Sequence, residues 1–166
     1  MEYICSYFDT QGFYIGNSFH PVEAVMYGDS FLVQTRVAKT CDCHPSSSER
    51  NQMRYLKENH HGLEINREGV PLTDLKELMK AFYKGVKNNK KFLVGVRSRE
   101  AETFLDKLNI PVLNINLLYG ATFNAITSGH KPCMFHKNQS TTIKCSLNIV
   151  QDMEQYIKNK KLSSNL

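Results

Sequence analysis

The chain has 166 residues, which is enough for one compact hydrophobic core and little more. Hydrophobic residues make up 41% of it, a share that is typical of a folded domain and too high for a disordered segment. A formal charge of +5 permits contact with nucleic acid without requiring it, since many unrelated domains carry a similar charge.

The beginning of the sequence has no features of an export signal. An acid, Glu2, stands next to the first residue, and no apolar segment of signal-peptide type follows it. The longest apolar runs, such as residues 92–96, are much shorter than a membrane span, so no membrane association is expected. Five cysteines in such a chain favour metal ligation or simple burial over disulfide bonds. We therefore expect a protein of the cytoplasm or the nucleus.

The first forty residues are rich in strand-forming residues. Residues 3–8 are typical of a buried strand, which is expected to end at Asp9. A turn is predicted at 10–12 and a second strand from Phe13. Residues 21–28 are expected to be a short segment that leads into the next strand, at 30–37.

Helical patterns begin in the middle of the chain. Residues 41–49 are predicted to form a loop, and a polar helix is expected over 50–59. A second, amphipathic helix is predicted to begin with Thr73 as its N-cap and to end at Gly85. Residues 87–91 form a lysine-rich turn, which is either a solvated surface loop or part of a binding surface.

The second half alternates between strands and helices. Residues 92–96 and 110–117 are predicted strands, and 100–108 and 147–159 are predicted amphipathic helices. Strands that come first and then alternate with helices predict an α/β fold with a mixed sheet. We expect one domain over 1–160 and a frayed tail over 161–166.

A group of metal-ligating residue types stands near the C-terminus. Cys133 and His136 are three residues apart, a spacing that lets one tight turn supply two ligands to a tetrahedral ion. Cys145 stands at the head of the last predicted helix, where the helix dipole favours a thiolate. The interpretation favoured here is a structural zinc site with a fourth ligand still to be found; the alternative is two buried cysteines and an unrelated histidine.

A second group, Cys41-Asp42-Cys43-His44, has poorer ligand spacing. Side chains two residues apart do not easily share a tetrahedral ion, so we expect no site there. A metal site and a redox-sensitive loop are the alternatives.

The order of several short motifs resembles that of a known family. These motifs are Phe8-Asp9-x-Gln11-Gly12, Glu23, the strand 92–96, Phe104-Leu105, Ile110-Pro111-Val112-x-Asn114, Cys133-x-x-His136 and Cys145. Together, over about residues 3–158, they resemble the DEDDh 3′–5′ exonuclease superfamily, and within it the zinc-containing branch of the Maelstrom domain and the arenavirus nucleoprotein exonuclease.

The resemblance implies an RNase H-like mixed sheet flanked by helices, with a zinc-bound C-terminal loop and helix. It also implies the missing ligand, because that branch uses a Glu-Cys-His-Cys set. Carried over to this sequence, the set is Glu23, Cys133, His136 and Cys145.

The same resemblance implies that the nuclease centre is degenerate. Four acids and a histidine are required for two-metal chemistry with a general base. At the matching positions the chain has Asp9, Gln11, Ala101, Lys144 and Ile149, so only one acid remains. Asp9 is then expected to be a carboxylate that caps a turn at the end of its strand.

The leading hypothesis is a non-catalytic protein that binds single-stranded RNA or DNA or acts as an adaptor, in small-RNA, transposon or antiviral pathways like the family it resembles. Three candidate contacts border the position of the family's active-site cleft: Lys144, Arg97 and Arg99. The others are the lysines of the 87–91 turn, Lys87, Lys90 and Lys91. The alternative is that all of these are ordinary surface charges.

Two other hypotheses remain open. One is a residual metal-dependent nuclease that uses Asp9 with His20 or His130. The other is a protein-interaction module that pairs with a partner or with a second copy of itself.

Overall fold

The structure, a computed structural model, describes the following residues of the chain: 3–38, 42, 44–65, 68–119, 133–136 and 145–163. Its centre is a mixed five-stranded sheet with the order β3-β2-β1-β4-β5. The first three strands are antiparallel and consecutive, whereas the last two run parallel to β1. The strands are β1 Ile4–Ile15, β2 Ser18–Gly28, β3 Phe31–Arg36, β4 Leu93–Val96 and β5 Val112–Asn114.

Helices cover both faces of this sheet, and they are α1 Ser47–Asn59, α2 Leu72–Val86, α3 Arg99–Asp106, α4 Ile115–Tyr119 and α5 Ser146–Ser163. One buried cluster joins α2 and α3 to sheet residues that include Ala24 and Met26. A second cluster joins α5 to residues that include Val25. Neighbouring residues of β2 thus face opposite layers, as the alternation of a strand requires. None of the helices in the described ranges is both long and apolar enough to cross a membrane.

The α/β class and the mixed sheet predicted from the sequence are confirmed. The predicted turn at 10–12 is wrong, because β1 passes through it with a bulge between Gln11 and Gly12. A Cβ at position 12 would overlap the carbonyl oxygen of His20 on β2, so the glycine serves close strand approach instead of a turn. The chain actually turns after Ile15, at Gly16 and Asn17, which both have positive φ. Residues 21–28 therefore belong to a full strand.

The predicted strand 110–117 is also shorter than expected. Strand β5 ends at Asn114, whose Oδ1 accepts hydrogen bonds from the backbone N–H groups of Asn116 at 3.1 Å and Leu117 at 3.4 Å. This side chain ends the strand and begins α4, which explains why the apolar residues after it are helical.

The two long helices differ from their predicted limits. Helix α2 has Pro71 as its N-cap, so Thr73 lies inside the first turn, and the helix continues past Gly85 to Val86. Helix α5 continues to Ser163, four residues beyond its predicted end.

Candidate metal centre

Four side chains with metal-ligating atoms meet at the α5 side of the sheet. Glu23, Cys133, His136 and Cys145 each offer one ligand atom, and these four atoms all lie within 4.8 Å of one another. All four side chains are buried, with exposed fractions of 0% to 6%. The fold therefore assembles the set that the sequence resemblance implies, from a strand, a short turn and a helix start.

Local backbone structure explains the position of the three C-terminal ligands. The N–H of His136 donates to the carbonyl of Cys133 at 3.1 Å, and this turn brings Cys133 Sγ to 2.9 Å from His136 Nδ1. Cys145 is the residue before α5, and its carbonyl accepts from the N–H of Ile149 at 3.0 Å. Its thiol thus lies at the positive end of an 18-residue helix, whose dipole acts against the effect of burial on the thiolate.

Glu23 supplies the carboxylate from the middle of β2. Its Oε1 accepts from Gln34 Nε2 at 3.0 Å, while its buried Oε2 has no hydrogen-bond partner among the residues that the structure describes. Burial raises the pKa of this carboxyl, with the Gln34 amide acting in the opposite direction. A buried carboxylate oxygen without a partner is costly unless a cation binds it, so Oε2 fits a metal ligand.

Cys145 points to the same conclusion. Burial, and less strongly the nearby Glu23 carboxylate, raise the pKa of its thiol to about 12. A bound cation would remove this penalty, because a coordinating thiol is deprotonated outright. The donor set of two sulfurs, one imidazole nitrogen and one carboxylate oxygen could hold a metal ion.

The protonation state of His136 also suits ligation. Its Nε2 lies 2.8 Å from the carbonyl oxygen of His61. A carbonyl only accepts, so the proton belongs on Nε2 and Nδ1 keeps its lone pair toward Cys133 and the other ligand atoms. Burial lowers the pKa of His136, which keeps the ring neutral. This backbone partner orients a ligating histidine as metal sites generally require.

Two residues around the ligands were not found by sequence reasoning. Gln34 on β3 donates its Nε2 both to Glu23 at 3.0 Å and to Cys133 Sγ at 3.4 Å, so it joins two ligands from distant parts of the chain. His61 is 1% exposed and packs edge-on against Phe13 with ring centroids 4.9 Å apart. Burial lowers the pKa of His61 to about 4, so it is neutral at physiological pH.

Asp9 lies near this centre but is not one of its four ligand residues. It is in the interior of β1 and only 1% exposed, so the expected role as a turn cap is wrong. Its Oδ2 accepts from Ser146 Oγ at 2.7 Å and from Gln11 Nε2 at 3.2 Å. Burial raises the pKa of Asp9 to about 7, against the effects of these hydrogen bonds and of the Arg97 charge. No sequence pattern indicated that Ser146 would be its partner.

The other positions matched to the nuclease centre are packing residues where the structure describes them. Ala101 is buried in the core cluster of α2 and α3, and Ile149 is buried in the cluster of α5. Lys144 and His130 lie outside the described residues. His20 pairs with Phe13, four residues along β1 from Asp9, a separation of about 13 Å along the strand.

The predicted basic contacts that the structure describes lie toward the two ends of β4. Arg97 follows β4 and lies close enough to Asp9 to lower its pKa, and Arg99 is exposed at the start of α3. Lys90 and Lys91 precede β4 and are exposed. The four residues of β4 separate the arginine pair from the lysine pair by about 13 Å or more along the strand.

The second cysteine group contributes nothing to this centre where it is described. Asp42 and His44 are exposed, whereas Cys41 and Cys43 lie outside the described residues. In the part of the chain that the structure describes, the group that can hold a metal ion is the set of Glu23, Cys133, His136 and Cys145.

Comparison of the chain with models of protein families, with curated proteins and with solved structures gave no match in any of the three.

Proposed function

We propose that this chain is a zinc-stabilised protein of RNase H-like architecture that has lost nuclease chemistry and binds single-stranded nucleic acid. The observation that carries the proposal is the buried set of Glu23, Cys133, His136 and Cys145. A sheet of three antiparallel strands extended by two parallel ones supports the RNase H-like part.

Zinc is the metal that suits these ligands best. Two thiolates and an imidazole favour zinc over magnesium or calcium, which require oxygen ligands. Four protein ligands fill a tetrahedral coordination sphere, and none of these side chains is more than 6% exposed, which is the arrangement of a structural ion. When bound, it ties β2 and the start of α5 to the 133–136 turn.

Catalytic silence is supported by the surroundings of Asp9. The carboxyl is buried, its Oδ2 is occupied by two neutral donors, and its pKa is raised to about 7. Gln11 offers an amide in place of a second carboxylate, and Ala101 and Ile149 are core residues. A pair of hard divalent cations requires several ionised oxygens in one place, and these positions supply at most one.

Nucleic-acid binding is supported by two cationic side chains, Arg97 and Arg99, which follow the carboxyl end of β4 and can contact phosphate. The proposed location is the cytoplasm or the nucleus.

A protein adaptor is the second candidate function, and an exposed sheet edge favours it. Phe31 and Leu32 of edge strand β3 are 64% and 46% exposed. Within the described ranges, backbone pairing at this edge is confined to its far end, at the bridge between Val37 and Val70. An open edge with apolar side chains suits the addition of a partner's strand.

Two assays on the purified protein test the proposal. Elemental analysis should find about one zinc per chain, as a single tetrahedral site requires. With Mg²⁺ or Mn²⁺ present, the protein should leave labelled single- and double-stranded RNA and DNA intact. Steady exonuclease activity that disappears in Asp9→Ala would overturn the catalytic silence, and a zinc-free folded protein would overturn the metal centre.

A further inference from the structure

A concave basic pocket lies at the amino end of β4, away from the metal centre and from Arg97. Among the described residues, its lining is Tyr3, Asn89, Lys90, Lys91 and Lys161. Three of these are lysines and none of these five is acidic, so this part of the lining has a positive potential. The lysines come from the turn between α2 and β4 and from the last turn of α5, and only the fold brings them together.

The turn that carries two of these lysines is held by its own hydrogen bonds. Asn88 Oδ1 accepts from the N–H groups of Lys90 at 2.9 Å and Lys91 at 2.8 Å. The N–H of Asn88 donates to the carbonyl of Lys91 at 2.8 Å. The backbone under both lysines is therefore preorganised, which lowers the entropy lost when an anion binds.

Two exposed aromatic rings stand beside the lysines. Tyr3 and Phe92 are 54% and 40% exposed, and their ring centroids are 5.8 Å apart with planes at 51°. The carbonyl of Tyr3 accepts from the N–H groups of Phe92 and Leu93, both at 2.8 Å, so the pair is fixed to the sheet. Exposed rings on a rigid support next to cations are the arrangement on which unpaired bases stack.

We infer that this pocket is a binding site for single-stranded nucleic acid, with phosphates at Lys90, Lys91 and Lys161 and a base stacked against Tyr3. The inference rests on the nucleic-acid binding proposed above, and it moves the main contact from the Arg97 end of β4 to the opposite end. A concave pocket with aromatic rings fits a nucleotide better than the flat surface of a membrane. RNA and DNA share this chemistry, so the test includes both.

The test measures the anisotropy of labelled oligouridine and oligothymidine over a salt series, with the full chain in its zinc-loaded form. Lys90→Ala/Lys91→Ala should weaken binding and lower the salt slope by about 1.4, since each lost phosphate contact on a single strand removes about 0.7. Tyr3→Ala should weaken binding about tenfold, while Tyr3→Phe keeps the ring and the affinity. Inorganic polyphosphate, which has no bases, should respond to the lysine changes and not to Tyr3→Ala.

A matched control is Lys80→Ala/Lys107→Ala, which removes the same charge from exposed positions on α2 and after α3. It should bind like the wild type. If Arg97→Ala/Arg99→Ala abolishes binding while the pocket variants bind normally, this site is wrong and the proposed function stands. If the wild type binds neither oligonucleotide at low salt, or binds only anionic vesicles, both the site and nucleic-acid binding are wrong.

Discussion

At the scale of single residues, Asp9 shows how its neighbours determine the role of a buried carboxyl. Its oxygen receives hydrogen bonds from Ser146 on α5 and Gln11 on its own strand, so it connects the sheet to the last helix. Both donors are neutral, and burial keeps the carboxyl protonated to a pH of about 7. Such a group acts as a structural hydrogen-bonding residue more readily than as a ligand for a hard cation.

Asp9→Asn should therefore remove a pH dependence of stability. The folded carboxyl keeps its proton to about pH 7, whereas the unfolded one loses it near 3.8. Between these values the folded state binds more protons, so the free energy of unfolding falls as pH rises. The variant should be more stable than the wild type at pH 8 by roughly 1–3 kcal/mol, and should lose that advantage below pH 4.

Urea unfolding of the zinc-loaded proteins at several pH values measures this difference. Ser146→Ala is the informative companion, because it removes a donor and should destabilise the protein at every pH by about 1–3 kcal/mol. An Asp9→Asn protein whose stability follows the pH curve of the wild type would show that the carboxyl is ionised throughout.

At the scale of elements, the bulge in β1 sets the strand pairing that positions Glu23. Gly12 stands directly after the register shift, where its backbone approaches that of His20. Glu23 pairs with Gln11, the residue before the shift. A change at Gly12 therefore acts on the part of β2 that presents a metal ligand.

Gly12→Ala should destabilise the protein by about 2 kcal/mol or more, because the new methyl group overlaps a carbonyl oxygen that belongs to the sheet. Gly85→Ala is the matched control, since a Cβ there meets nothing within 4 Å and the residue is helical. The control should gain about 0.5–1 kcal/mol. Thermal unfolding compares the two variants, and equal effects would contradict the close approach at Gly12.

Sequence patterns predicted the elements whose signals are local. The amphipathic helices and the apolar strand 92–96 have periodicities that nothing else in the chain opposes. The errors at Gly12 and Asn114 have a different cause. A glycine in the sequence is compatible both with a turn and with the close approach of two strands, and sequence alone does not distinguish them. Asn114 ends its strand through side-chain hydrogen bonds, which hydrophobic periodicity does not reveal.

At the scale of the whole molecule, the candidate metal centre joins parts of the chain that are far apart in sequence. Spacing alone predicted Cys133, His136 and Cys145, because these residues are close in sequence. Glu23 required the family resemblance, and no pattern pointed to Gln34, whose side chain reaches two of the ligand residues because β3 pairs with β2. Contacts between distant segments leave no trace in the spacing of a single sequence.

Removing the metal should therefore loosen the whole domain. Chelation, or Cys133→Ser, leaves a carboxylate and a thiol buried without a cation, at an expected loss of about 5 kcal/mol. For a chain of this size the melting temperature should fall by roughly 10–20 °C. Differential scanning calorimetry with and without chelator measures the change.

Cys5→Ser is the control for this experiment. Cys5 is also buried, but its thiol donates to the carbonyl of Leu93 at 3.3 Å, and a serine hydroxyl can do the same. The variant should retain zinc and respond to chelator as the wild type does. If chelator does not lower the melting temperature of the wild type, the proposal of a structural metal is contradicted.

The long separation of Glu23 from its partners also sets an order of events during synthesis. Roughly 110 residues lie between Glu23 and Cys133, and a ribosome takes about 5–20 s to add them. The first three strands leave the ribosome well before the other three ligand residues exist, so the site for a cation that would neutralise the Glu23 carboxylate is then incomplete. During this interval the Glu23 side chain of the nascent hairpins must be either solvent-exposed or protonated. Synthesis of Cys145 and α5 then supplies the last ligand and the helix that complete the domain.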